Sequence, residues 1–172
     1  MFFIGNIMLS PGMAFRRSGF KQLYPLPIAL SQYQDYKIHV DVALKLSAIT
    51  LDKALVIYRK PSKKSGISET NSKTLRIRQL EENILMDSFL QIKDIAMLKE
   101  VFGPDLLQRF GKLDNFFIPY YLGSLALDAQ TEYKKVWGYN QIAGFITKPE
   151  NYALVHKKYG FCYKDFLNLS DK

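Results

Sequence analysis

From Tyr36 to Leu46 the apolar residues Tyr36, Ile38, Val40, Val42, Leu44 and Leu46 occupy every second position, with Lys37, His39, Asp41 and Lys45 among the residues between. Side chains alternate across a strand but recur every three to four residues on one face of a helix, so this pattern predicts a strand with one apolar face and His39 on its polar face. Ser47 to Lys53 then reads as a connection. Ala54 to Tyr58, ended by Pro61, reads as a second strand paired back on the first in a hairpin.

Pro61 to Thr74 is rich in Ser and Lys with Ile67 as its one apolar residue, which predicts a mobile loop that buries too little surface to order itself. Beyond it, Leu80, Ile84, Leu85, Phe89 and Ile92, then Ile95, Leu98 and Phe102, recur at threes and fours and predict helices. The acids lying between these apolar positions read as a solvated helix face. Gly103 and Pro104 mark a stop and restart, and Leu106, Leu107 and Phe110 a short amphipathic turn before Gly111. Phe116 to Leu127 is nearly all apolar and reads as core, with Pro119 and Gly123 predicting a break. Ala129 to Trp137 predicts a helix ended by Gly138, and Gln141 to Ile146 a short second one. Thr147 with Glu150 three residues on predicts a capping box for a third, from Pro149 to Tyr159, closed by Gly160.

These elements predict an α+β fold, with an N-terminal β-hairpin or small antiparallel sheet packed on a mainly helical C-terminal half. At 172 residues and 48% hydrophobic content the chain reads as a single domain, 1–172. Its expected parts include a 1–35 extended arm, a 61–74 mobile basic loop and a 129–169 helical segment.

The formal charge of +8 implies attraction to polyanions, and its distribution is segmental. Arg16, Arg17 and Lys21 precede the first acid, Asp35. Residues 59–78 carry Arg59, Lys60, Lys63, Lys64, Lys73, Arg76 and Arg78 against Glu69 alone, whereas acids predominate over 81–114. Twelve Phe and eleven Tyr are enough for an aromatic-rich core, with any surplus available to a partner surface or to nucleotide bases.

The stretch from Gln141 to Gly160, QIAGFITKPENYALVHKKYG, pairs the small residues Ala143 and Gly144 with an apolar seam of Ile142, Ile146, Tyr152 and Val155. It resembles a helix-turn-helix unit. The resemblance implies a second helix presenting Lys148, Asn151, His156, Lys157 and Lys158 to phosphates and base edges in a major groove. A second pattern, Pro104-Asp105 followed by Glu132-Tyr133-Lys134, is similar to the PD-(D/E)xK signature of Mg²⁺-dependent nucleases, in which two carboxylates hold the ion beside the scissile phosphate. His156 and Cys162 lie close enough in sequence to suggest a thiol–imidazole pair, although an inert buried thiol is the ordinary reading of Cys162.

A lone cysteine and two histidines exclude an intramolecular disulfide and argue against a transition-metal site, so neither cofactor nor metal is expected. Met1 to Leu9 is too short to span a bilayer, and no membrane span is expected. The acid-free start resembles an organellar presequence, against the main expectation of an intracellular, cytoplasmic protein. The expected function is non-catalytic nucleic-acid binding, DNA or RNA, as a subunit of a larger nucleoprotein assembly. Its contacts would be Arg59, Lys60, Lys63, Lys64, Lys73, Arg76, Arg78, Lys148, Asn151, Lys157 and Lys158. The alternatives are a structural or adaptor subunit and the Mg²⁺-dependent nuclease.

Overall fold

The computed structural model describes residues 10–57, 71–103 and 106–171, and every regular element among them is helical. The helices are α1 (Arg17–Phe20), α2 (Gln34–Lys45), α3 (Ser72–Met86), α4 (Ile95–Phe102), α5 (Leu106–Phe110), α6 (Ile118–Ala126), α7 (Glu132–Ile146), α8 (Pro149–Tyr159) and α9 (Tyr163–Leu167). The α+β expectation is therefore wrong: the described residues contain no strand. They fall into two compact units, one within Asn6–Ser88 and the other within Phe89–Lys172.

In the first unit, the stretch expected to be a strand is α2. Tyr36, Lys37, His39, Val40, Asp41, Val42 and Leu44 are all buried, and on a helical wheel they lie nearly all the way round. A helix covered on several sides has no need of a single apolar stripe, so its periodicity misleads. The ion pairs confirm the geometry. Lys37 Nζ lies 2.5 Å and Lys45 Nζ 3.4 Å from Asp41 Oδ2, each four residues away. Along a strand, four residues span about 13 Å and such neighbours would not meet. His39 is fully buried rather than on a polar surface, with Nε2 3.4 Å from Ser10 Oγ.

The other half of the expected hairpin is also absent. Residues 47–57 form no regular element, and Ala54 to Ile57 are exposed; Tyr58 lies outside the described residues. Of the expected 61–74 loop, 61–70 lie outside the described residues, while α3 already begins at Ser72. Within 1–35, the described residues include α1 and a 3₁₀ turn at Lys21–Leu23, followed by a cis Tyr24-Pro25 peptide.

In the second unit, α6 is buried through Ile118, Tyr120, Tyr121, Leu122, Gly123, Ser124 and Ala126, as its continuous apolarity requires. Pro119 sits in its first turn, where a missing N–H is harmless. Gly138 does not end a helix, because α7 runs uninterrupted from Glu132 to Ile146. The glycine instead permits close approach to α6. A Cβ at Gly138 would lie 2.6 Å from the Gly123 carbonyl oxygen, and one at Gly123 2.7 Å from that of Gly138. Around this crossing Tyr121, Phe117 and Tyr159 pack as an aromatic cluster. The Tyr121 and Tyr159 hydroxyls are 2.5 Å apart, and the Phe117 and Tyr159 rings meet edge to face at 5.5 Å.

Candidate nucleic-acid interface

The start of α3 is fixed by its own sequence. Asn71 Oδ1 accepts from Thr74 N at 2.9 Å while Thr74 Oγ1 accepts from Asn71 N at 2.9 Å, a reciprocal cap that satisfies helix-end donors. Lys73 and Arg76 then stand exposed on the first turns and Arg78 is half-buried. The acids of this helix behave differently from the solvated face expected of them: Glu81 and Glu82 are each only 3% exposed. The charges that α3 shows to solvent are thus all basic.

Glu81 is the residue that sequence reasoning missed. Its carboxylate accepts from Ser31 N (2.7 Å), Ser31 Oγ (2.7 Å), Gln32 N (2.9 Å) and Tyr33 N (2.8 Å), gathering the successive backbone donors that lead into α2. Burial pushes the Glu81 pKa up, but these hydrogen bonds outweigh it and hold the group below 4.5. No sequence signal pointed to it, because the donors at Ser31 to Tyr33 lie about fifty residues before Glu81 and meet it only when α3 packs near the start of α2.

The second basic element is α8. Pro149 opens it and Gly160, in the left-handed conformation at φ 67°, closes it, both where the sequence predicts. The expected capping box does not form. Thr147 ends α7, and its hydroxyl donates to the Ala143 carbonyl at 2.8 Å. Ile142 and Val155 are fully buried, in keeping with a seam between α7 and α8. Gly144, however, faces open space: a Cβ there would meet no heavy atom within 4 Å, so it is not the close-approach residue of a helix-turn-helix unit.

Lys148, His156, Lys157 and Lys158 are exposed on α8 or at its start. Asn151 is instead buried, its amide donating to the Phe145 carbonyl at 2.9 Å, which ties the two helices together and withdraws the side chain from any groove. Lys158 Nζ lies 4.4 Å from the Phe117 ring centroid, a cation–π contact that holds this charge on the aromatic cluster. Arg59, Lys60, Lys63 and Lys64 lie outside the described residues. The remaining candidates divide between the two units: Lys73, Arg76 and Arg78 in the first, Lys148, Asn151, Lys157 and Lys158 in the second.

The chain matches no protein-family model, no curated protein and no solved structure.

The other expected constellations take the following form. Pro104 and Asp105 of the nuclease pattern lie outside the described residues. Glu132 is exposed and Lys134 is 2% exposed, and two positions along α7 set them on nearly opposite sides of the helix. No group of three or more His, Cys, Asp or Glu placed to hold a metal occurs among the described residues. The His156 Nδ1 atom faces the Phe161 carbonyl at 3.2 Å, while Cys162 caps α9, its N–H donating to Asp165 Oδ2 at 2.7 Å. The thiol is part-exposed rather than fully buried.

A cleft of about 390 Å³ in the second unit is lined by Arg109, Tyr120, Ser124, Tyr159 and Asp165 among others. Arg109 is already engaged there, donating to the Ser124 carbonyl at 2.8 Å and pairing with Asp128. Among the described residues, no helix is long and apolar enough to cross a membrane.

Proposed function

We infer that the chain is a non-catalytic nucleic-acid-binding protein, a subunit of a larger nucleoprotein assembly, that holds phosphates through α3 and α8. The observation that carries this reading is the charge on α3. A helix N-terminus carries a partial positive charge that fades within the first turn, so Lys73, the second residue of α3, sits at the unfavourable end at a cost of about 0.3–1 kcal/mol, with Arg76 on the turn after it. No acid stands in the first turn, and Glu81 and Glu82 further along the helix are buried. An anion bound across those turns removes the penalty, and a polyphosphate backbone supplies such anions at regular spacing.

Titrating salt against binding to labelled duplex DNA, single-stranded DNA and structured RNA tests the reading. The wild-type chain should weaken steeply with salt. Replacing Lys73, Arg76 and Arg78 by Gln should flatten the slope of log K against log salt by about 2 to 3, near 0.7–0.9 per phosphate contact. Lys148, Lys157 and Lys158 replaced together should do likewise, whereas flat salt dependence in the wild type defeats the proposal.

A structural or adaptor role is the second reading, and a separate observation favours it. Ile49 and Ile57 are 89% and 98% exposed, and Leu51, Leu55 and Val56 are exposed between them. Apolar residues displayed over so short a span are surface that a protein partner would cover. This reading expects salt-tolerant association, lost when Leu51, Leu55 and Ile57 become Ser.

A further inference from the structure

Around α1 the exposed side chains fall into an order that its burial does not require. Arg17 and Phe20 belong to α1, Lys21 to the 3₁₀ turn that follows it, and Tyr24 leaves that turn in extended conformation. Here Phe20 and Tyr24 are 38% and 49% exposed, and Arg16, Arg17 and Lys21 are exposed beside them.

The rings form a continuous row. Phe15 and Phe20 have centroids 5.6 Å apart, and Phe20 and Tyr24 4.7 Å apart, with interplanar angles of 50° and 48°. The opposite side of the same turn is anchored. Leu23 is 3% exposed, and a Cβ at Gly19 would meet Leu46 Cδ1 at 3.4 Å, so the row rests against the end of α2. A backbone hydrogen bond from Phe20 N to Arg16 O at 3.0 Å fixes the turn. No acid lies between Phe15 and Tyr24.

We propose that Phe20 and Tyr24, flanked by Arg16, Arg17 and Lys21, form a stacking platform for single-stranded nucleic acid. This rests on the nucleic-acid-binding reading above and names the polymer form that this surface takes. Exposed ring faces stack on unpaired bases whatever their identity, and neighbouring cations track the phosphates; a duplex keeps its base faces covered and offers only the phosphates. Charge complementarity alone would also suit an anionic lipid surface. Phe20 and Tyr24 are, however, each more than half covered, which leaves little apolar depth for insertion among acyl chains, whereas a base needs only part of a ring at the surface to lie against.

The test measures binding of the full chain to labelled dT12 and rU12, to a 12-base-pair duplex, and to vesicles of phosphatidylserine and phosphatidylcholine. A Phe20→Leu/Tyr24→Leu variant retains apolar bulk but has no ring face, and circular dichroism confirms its helicity. A Phe20→Tyr/Tyr24→Phe variant retains both rings. The proposal expects the Leu variant to bind the single strands about ten-fold or more weakly, with duplex binding unchanged and the ring-exchanged variant close to wild type. Replacing Arg16, Arg17 and Lys21 by Gln should reduce the single-strand salt slope by about 2.

If the Leu variant binds single strands as wild type does, the platform is wrong while nucleic-acid binding stands. If neither single strand nor duplex is bound, both readings fall. Vesicle binding without oligonucleotide binding overturns the platform in favour of a lipid surface. Should the Leu variant lose helicity, a wild-type preference for duplex over single strand would overturn the platform, and a preference for single strand with an unaltered ring-exchanged variant would support it.

Discussion

Glu81 shows how one carboxylate can organise a helix it does not belong to. It accepts hydrogen bonds from Ser31, Gln32 and Tyr33, so Glu81→Gln turns an amide donor towards at least one of those donors. Urea unfolding followed by far-ultraviolet circular dichroism should report a loss of about 2 kcal/mol, the range for stranding a buried donor. With the Glu81 pKa held below 4.5, its stabilisation is present above that value and disappears as pH falls through the folded pKa. His39 acts in a higher window. Burial depresses its pKa below 6.5, with Asp35 opposing, so the unfolded chain takes up the proton first. Stability should be full above about pH 6.5 and decline as pH drops below it, and His39→Gln should flatten that decline in urea midpoints measured between pH 7.5 and 5. Neither role was legible in the sequence, because each depends on a partner far along the chain or on burial from several sides.

Among the elements, α8 was legible because its signals are local: a proline inside its first turn and a left-handed glycine just past its end. α2 was not. Its alternation was genuine but coincidental, and the polar residues of the alternate phase are buried with the apolar ones, Lys37 and Asp41 through mutual pairing. Gly138 was misread for a related reason, since a glycine within a helical pattern signals either an end or a close approach, and only the neighbouring helix decides which. Two substitutions separate these roles. Gly138→Ala should destabilise by about 1–3 kcal/mol through overpacking against α6. Gly144→Ala, on the same helix with open space around it, should stabilise by about 0.5–1 kcal/mol from helix propensity alone. Thermal denaturation of both variants beside wild type measures the contrast, and equal destabilisation would show that Gly144 too faces a packed neighbour.

Across the whole molecule, the acid-sensitive groups Glu81 and His39 both belong to the unit within Asn6–Ser88. Hydrogen exchange by mass spectrometry, corrected for intrinsic rates, should therefore show protection in α2 falling between pH 7 and pH 5, where His39 takes up its proton, and protection at the α2–α3 contact falling further below pH 4.5, where Glu81 does, in each case before α6 and α7. The segmental charge was visible in the sequence, but the inward turn of Glu81 and Glu82, which leaves only basic charge on the exterior of α3, was not. The α6–α7 crossing also restricts which changes the chain can accumulate. A side chain at Gly138 strikes the carbonyl oxygen of Gly123, an atom that every amino acid carries, and the reverse contact is the same. No second-site change at the facing glycine can clear the space. A genetic selection for revertants of Gly138→Ala should therefore return true reversions, or gains made elsewhere in the fold, and no compensating exchange at position 123.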